Sequence, residues 1–155
     1  MASTNPVQML KDDHEKVRTL FRQFENADGD KRQQIADQLF MELEVHTSIE
    51  EEIFYPAMRQ AGDAQDKEEV AHAYEEHAGA KQLMQQLRGM QASDQQFMTL
   101  WQQLRKDVEH HAHEEETEML PKAEQELSGQ MDRLGQEMMA RKEQLMGQMQ
   151  GQMRR

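Results

Sequence analysis

HTSIEEEIFYP, residues 46–56, and HAHEEETEMLP, residues 111–121, share one pattern, H-x-x-x-E-E-x-x-x-x-P. In each segment a glutamate follows a histidine by four residues, and residues four apart lie on one face of a helix. The pattern therefore predicts two helices that each present an imidazole and a carboxylate on the same face. Pro56 predicts that the first of these helices ends at or near it, and Pro121 predicts an end or a kink of the second, because proline lacks a backbone donor and clashes with the preceding turn.

A lone histidine precedes each of these segments. His14 lies 32 residues before His46, and His77 lies 34 residues before His111. Each lone histidine fills a gap in an apolar stripe of helical spacing, so it is predicted to face the core. The stripes consist of Val7, Leu10, Val17, Phe21 and Phe24 around His14, and of Val70, Ala73, Ala80, Met84 and Leu87 around His77.

Apolar stripes also run through the helices that carry the repeated pattern. The second helix is predicted over about residues 30–55 and the third over about residues 66–90. The first is predicted to begin at Asn5 with Pro6 at its first position. The fourth is predicted to begin with a capping box of Ser93 and Gln96. The remaining stripe positions are Ile35, Leu39, Leu43 (or Glu42), Ile53, Phe97, Trp101, Leu104, Val108 and then Glu118 or Met119.

Four helices with short connections predict an all-α fold, an antiparallel up-down-up-down four-helix bundle over residues 1–121. Residues 122–155 form a tail rich in Met, Gln and Arg, in which a weak amphipathic helix is predicted. This helix would cap the bundle, pair with another chain or fray, and the periodicity leaves these alternatives open.

Composition excludes several classes of function. The formal net charge is −12, which disfavours nucleic acid as a partner. There are no cysteines, so disulfides, thiolate metal sites, Fe–S clusters and thiol nucleophiles are excluded. We see no signal peptide and no stretch near the roughly 18 apolar residues of a membrane helix. The default expectation is a soluble cytoplasmic protein without membrane contact.

Six ionisable side chains on core stripes need compensation, because buried charge is costly. A metal cation would supply it, and imidazole with carboxylate suits iron, manganese or zinc. Two glutamates, one from each half of the chain, can bridge two ions, and iron is the best guess for oxygen chemistry. The predicted metal ligands are His14, His46, Glu50, His77, His111 and Glu115.

Neighbouring residues offer a competing pair of ligands. His110 and Glu114 have the same spacing but lie about 100° around the helix from the stripe, so His110 is predicted to flank the site. His113 is predicted to be solvated, and His72 is turned away from the direction of His77. Tyr74 either faces the metals or packs with its hydroxyl toward solvent.

The chain resembles the hemerythrin-like family, also called the HHE cation-binding domain, in its bacterial form. The resemblance covers about residues 7–121. The blocks that carry it are DDHEKVRTLF, HTSIEEEIFYPAM, EEHAGAKQLM and HHAHEEETEMLPKA, and the tail block LGQEMMARKEQLM is also similar to bacterial members.

This resemblance implies a non-haem centre of two iron ions (Fe2+/Fe3+) with a bridging oxo or hydroxo group. It implies that His14 and His46 bind one iron, that His77 and His111 bind the other, and that Glu50 and Glu115 bridge them. Oxygen-carrying members have a further histidine one turn before the equivalent of His77. Here that position is Ala73, so one iron is expected to have an open position filled by water, Tyr74 or another group.

Three functions are compatible with such a centre. The protein would bind O2, NO or peroxide for oxygen binding, sensing or stress response; it would be an enzyme acting on peroxide or O2; or it would be an iron-responsive sensor module. Whether it is an enzyme is left open. It is expected to be a monomer or a homodimer.

Overall fold

The first helix begins where the sequence predicts. The computed structural model describes residues 5–153, and helix α1 spans Pro6–Glu25. The Asn5 side chain caps it by accepting a hydrogen bond of 3.0 Å from the Gln8 backbone N–H. The predicted segments 1–121 and 122–155 also include residues 1–4 and 154–155, which lie outside the described residues.

The fold is all-α, with no strand among residues 5–153. Four antiparallel helical rods form the bundle, and two of them contain a π-helical turn. After α1 the elements are α2 (Gly29–Ile49), the π turn π1 (Glu50–Phe54), α3 (Tyr55–Ala61), α4 (Ala64–Arg88), α5 (Gln95–Glu114), the π turn π2 (Glu115–Met119), α6 (Leu120–Glu126), a 3₁₀ turn (Ser128–Gln130) and α7 (Met131–Met153).

Neither proline of the repeated pattern ends its helix. The backbone passes from α2 through π1 into α3 in helical conformation, and the second rod reaches Ala61. The expectation of an end near Pro56 is therefore wrong. Pro56 cannot donate a helical hydrogen bond, and the wider π turn before it accommodates this loss. Pro121 follows π2 in the same way, and its rod continues to Glu126.

The predicted capping box at the start of the fourth helix is also wrong. Asp94, not Ser93, is the N-cap residue, and α5 begins at Gln95. The Asp94 carboxylate instead accepts a hydrogen bond of 3.2 Å from the backbone N–H of Gln91, within the preceding turn.

Two apolar clusters fill the bundle, one on each side of the layer that contains the predicted ligands. Trp101 is fully buried in one cluster and stacks on Phe24 with a centroid distance of 4.1 Å. The other cluster includes Leu10 and Phe54 and extends to α7. Ile53, predicted on the core face, is only partly buried, because π1 brings Phe54 and Tyr55 inward instead.

Helix α7 packs on α1, α2 and π1. Leu134, Met138 and Leu145 are buried in the same cluster as Leu10 and Ile49. The C-terminal helix therefore covers the end of the bundle at which the π turns lie.

None of the helices within residues 5–153 is long and apolar enough to cross a membrane.

Candidate metal centre

Six side chains predicted as ligands converge between the two apolar clusters. Each of the four helical rods contributes at least one of them, and both glutamates lie at the first residue of a π turn. Glu50 is 0% exposed and Glu115 is 2% exposed. The six residues are His14 on α1, His46 on α2, Glu50 on π1, His77 on α4, His111 on α5 and Glu115 on π2.

One side of the centre is formed by His14 and His46. Their ring centroids are 5.0 Å apart. His14 Nε2 lies 3.1 Å from Glu115 Oε1, and His46 Nε2 lies 3.0 Å from Glu50 Oε1. One atom from each of these four residues lies within 4.8 Å of the others, a spacing compatible with one bound ion.

The other side is formed by His77 and His111, whose ring centroids are 4.8 Å apart. His77 Nε2 lies 3.0 Å from Glu50 Oε1, and His111 Nε2 lies 3.3 Å from Glu115 Oε2. Both glutamates thus contact histidines from both sides. Glu115 contacts one side through each oxygen, whereas Glu50 contacts both sides through Oε1.

Buried polar atoms test whether the residues fit a cation. Despite the short distances between them, His14 Nε2, His46 Nε2, both Glu50 oxygens and Glu115 Oε1 make no hydrogen bond of normal geometry among the described residues. Buried polar atoms in folded proteins are normally paired, and an ion is one of the recognised explanations when they are not. These atoms all face the middle of the centre, so the donor set fits a metal ion.

A carboxylate holds the outer nitrogen of each of the four histidines. Because a carboxylate only accepts, Nδ1 carries the hydrogen and Nε2 is left free to bind a metal. Two of the contacts lie within a helical hairpin and two connect the hairpins, so they follow the internal repeat. The Nδ1 pairs are His46 with Asp13 at 3.0 Å, His111 with Glu76 at 2.8 Å, His77 with Glu51 at 2.8 Å and His14 with Glu116 at 2.7 Å.

Sequence reasoning missed these four carboxylates, although a signal for them exists. Asp13 and Glu76 each directly precede a lone core histidine, and Glu51 and Glu116 are the second glutamates of the repeated pattern. An acidic residue thus stands beside a predicted ligand at four places. The sequence did not indicate a role for these acidic residues, because a charged residue next to a core position usually lies on the solvated face of a helix.

Charge in the metal-free centre is balanced within the protein. Burial alone would lower the pKa of His46, but the charge of Glu50 and the contact with Asp13 raise it well above its ordinary value. Burial likewise opposes protonation of His111, yet its contacts with Glu115 and Glu76 raise its pKa to about 10. In the metal-free protein, these histidines and the neighbouring carboxylates therefore stabilise each other's charged forms.

Tyr55 is a site residue that the sequence did not predict. Its hydroxyl donates a hydrogen bond of 2.6 Å to Glu115 Oε2 and lies 3.2 Å from Nε2 of both His77 and His111. Burial and the charges of Glu115 and Glu50 raise the Tyr55 pKa well above its ordinary value, so the phenol is neutral in the metal-free protein.

The π turn explains both the position of Tyr55 and its absence from the sequence prediction. In a regular helix, five residues after Glu50 lie about 140° away around the axis. The wider turn π1 has a hydrogen bond from the Tyr55 N–H to the Glu50 carbonyl, five residues apart, and this brings Tyr55 round toward the centre. In the other half of the chain the equivalent residue is Leu120, so the two sides of the centre differ.

Tyr74 does not reach the centre. Its hydroxyl donates a hydrogen bond of 2.9 Å to the backbone carbonyl of Glu51. The exposed His113 and the largely exposed His72 and His110 also lie outside the ligand set.

A small cavity adjoins the ligands on the side of the Trp101 cluster. Its volume is about 40 Å3, and its walls are mostly apolar. Its lining includes all four ligand histidines together with side chains such as Val17, Phe21, Leu43 and Ala80. A cavity needs roughly 10–15 Å3 to hold one water molecule, so this space admits a diatomic molecule or a few waters.

Comparison with known proteins identifies the family. The model of the hemerythrin HHE cation-binding domain matches residues 5–123. This is most of the chain, and the chain therefore belongs to that family. The buried His and Glu cluster agrees with the cation binding for which the family is described.

Individual proteins are similar over different extents. The crystal structure of a hemerythrin HHE cation-binding domain-containing protein from Mycobacterium kansasii has a TM-score of 0.81 and 28% identity, and the match covers 96% of this chain and 90% of that one. An uncharacterised Mycobacterium tuberculosis protein is 29% identical over 150 residues, covering 92% of this chain and 88% of that protein. A Nostoc protein described as a DNA nickase is 28% identical over 123 residues, covering 79% of this chain. This chain spans 34% of that relative's length.

Proposed function

We propose that this member of the hemerythrin HHE cation-binding family holds two iron ions and binds O2, or the related NO or peroxide, at that centre. His14 and His46 would hold one ion and His77 and His111 the other, with Glu50 and Glu115 between them. When bound, a pair of redox-active ions supplies the electrons for binding or reducing a dioxygen-type molecule.

The observation that carries the proposal is the set of unpaired buried atoms that face one another across the bundle. Imidazole nitrogens and carboxylate oxygens without sulfur form a donor set suited to iron. The outer carboxylates support this role, because they fix each histidine ring with Nε2 directed inward.

The adjoining cavity supports a small ligand. It reaches the four histidines and is lined mostly by apolar side chains. Such walls exclude most water and leave little room for an organic substrate. In this proposal the protein residues bind the ions, hold the histidine rings in place and admit only small molecules to the centre.

Metal analysis of the full chain tests the proposal. After anaerobic addition of Fe2+ and removal of excess metal, we expect two ions per chain. Glu50→Ala removes the carboxylate that contacts both histidine pairs, so we expect at most one ion to remain. Glu52→Ala, at an exposed residue of the same turn, is the matched control and should retain two. A parent protein that binds no transition metal would contradict the proposal.

A second candidate function, turnover of peroxide or O2, is favoured by Tyr55. Its hydroxyl is a proton donor that lies among the ligand atoms, and Leu120 cannot provide one on the opposite side. When one peroxide molecule is oxidised to O2 it releases two protons and two electrons, which reduce a second peroxide to two waters. Tyr55, hydrogen-bonded to Glu115, is placed to relay protons between the two half-reactions.

Oxygen evolution from peroxide separates the two candidates. If the iron-loaded protein is an enzyme of this kind, it evolves oxygen steadily, and Tyr55→Phe slows this at unchanged iron content. Tyr74→Phe removes a hydroxyl outside the centre and should have little effect on the rate. Reversible spectral changes under O2 cycling without turnover would instead favour binding.

A further inference from the structure

Two further histidine–glutamate pairs lie on the surface beside the buried centre. His72 and Glu76 are four residues apart on α4, and His110 and Glu114 are four apart on the neighbouring α5. His72 Nε2 lies 3.5 Å from Glu76 Oε2 and 3.6 Å from Glu114 Oε2. His110 Nε2 lies 2.9 Å from Glu114 Oε1 and 3.9 Å from Glu76 Oε2.

The potential ligand atoms of these side chains, which come from two helices, lie close together. Donor atoms of His72, Glu76 and Glu114 lie within 4.8 Å of one another, and both imidazoles are more than half exposed. Ligand atoms bind a divalent transition metal at about 2.0–2.2 Å, so small rotations of exposed side chains would close the set around one ion.

The surroundings of Glu76 provide a second, independent observation. Each of the other three outer carboxylates contacts a lysine or an arginine in addition to its histidine. Among the described residues, Glu76 has no such lysine or arginine and faces His72 and His110 instead. The three fixed contacts are Lys142 with Asp13 at 2.6 Å, Lys81 with Glu51 at 2.7 Å and Arg18 with Glu116 at 3.2 Å.

A cleft connects this surface cluster with the buried centre. Its lining includes His72, Glu76 and Glu114 at the surface and His111 and Glu115 at the centre. The further lining residues are Glu69, Ala73, Glu118 and Met119. A cleft lined mainly by carboxylates concentrates cations. The side chain of Ala73 is small and leaves space in the wall of the cleft.

We propose that His72, Glu76, His110 and Glu114 bind a divalent transition-metal ion at the surface, separate from the buried pair, and that this site stages metal for the buried centre. The staging role rests on the proposed function, whereas the surface site does not. Imidazole and carboxylate together select an ion such as Fe2+ or Zn2+. Glu76 joins the two sites, because one of its oxygens accepts from His111 Nδ1 and the other faces the surface histidines.

Binding of Zn2+ to the full chain tests the surface site. We expect the His72→Gln/His110→Gln variant to bind one ion fewer than the parent, whatever number the buried centre takes up. Outer-shell partners alone contribute about 10- to 100-fold in metal affinity, so loss of two direct ligands should weaken this ion at least about 100-fold. His113→Gln removes an exposed histidine from the same helix and should bind like the parent. Equal ion numbers and affinities in parent and double variant would overturn the site.

Loading kinetics test the staging role. With limiting Fe2+ under anaerobic conditions, we expect the double variant to fill its buried centre to the same final content but about tenfold more slowly, because it no longer holds and concentrates ions beside the cleft. Unchanged thermal unfolding of the metal-free proteins would show that the exposed substitutions leave the fold intact. Equal loading rates would overturn the staging role. A buried centre that stays empty in parent and variant alike would instead contradict the proposed function.

Discussion

At the scale of single residues, the outer carboxylates decide which nitrogen each histidine offers. Asp13 contacts His46 through one oxygen and Lys142 through the other. Burial opposes its ionisation, but these two partners lower the Asp13 pKa to about 2. Its charge is therefore present at any pH at which the protein would bind metal.

Replacing Asp13 tests this orienting role. We expect Asp13→Asn to keep the fold but to weaken the metal ion beside His46 by about 10- to 100-fold, the usual effect of losing an outer-shell carboxylate. Competition with a chelator measures this affinity. Asp12→Asn changes a neighbouring exposed carboxylate and should have no such effect. A metal affinity equal to that of the parent would show that the Asp13–His46 contact does not orient the histidine for metal binding.

The predicted ligands followed from residue spacing, whereas their partners did not. Helical periodicity alone placed His111 and Glu115 on the core face and His110 and Glu114 beside it, and the exposures agree with that choice. The spacing did not predict Tyr55 as a site residue, because helical periodicity assumes 3.6 residues per turn throughout. A single wider turn changes which face every following residue occupies.

At the scale of elements, the π turn π1 receives a hydrogen bond from a side chain in the other half of the chain. Pro56 has no N–H to give to the carbonyl five residues before it, that of Glu51. Tyr74 from α4 supplies a hydroxyl donor to that carbonyl instead. Tyr74 thus replaces a missing backbone hydrogen bond, and this accounts for its position better than a contact with metal.

A double-mutant cycle tests this pairing. Tyr74→Phe removes the donor and should cost about 1 kcal/mol of unfolding free energy, a typical net value for one hydrogen bond. In a Pro56→Ala background the cost should be smaller, because the N–H introduced at position 56 can donate to the Glu51 carbonyl. Urea denaturation of the four proteins measures the coupling. Strictly additive effects would contradict the assignment.

At the scale of the whole molecule, α7 completes the core at one end of the bundle. The periodicity of the tail predicted a weak helix and left its packing open. The packing depends on partners more than 80 residues earlier in the chain, such as Leu10 and Ile49, and no local pattern reports them. Met138 is fully buried in this interface.

Shortening Met138 measures what α7 contributes. We expect Met138→Ala to lower the unfolding free energy by about 2–5 kcal/mol, the range for large-to-small core substitutions. Gln136→Ala, at an exposed position of the same helix, should change it by less than about 0.5 kcal/mol. Urea denaturation of the metal-free proteins gives both values. A small effect of Met138→Ala would show that α7 is only loosely attached.

The contact between Lys142 and Asp13 joins residues 129 positions apart, and this has a consequence for synthesis on the ribosome. A nascent chain emerges at about 5–20 residues per second. Glu115, the last of the six central residues, therefore leaves the ribosome roughly 1–5 s before Lys142. During synthesis His46 is therefore available to Asp13 before Lys142 is. For that interval the newly made chain has all six central residues, while its C-terminal helix has not yet packed over them.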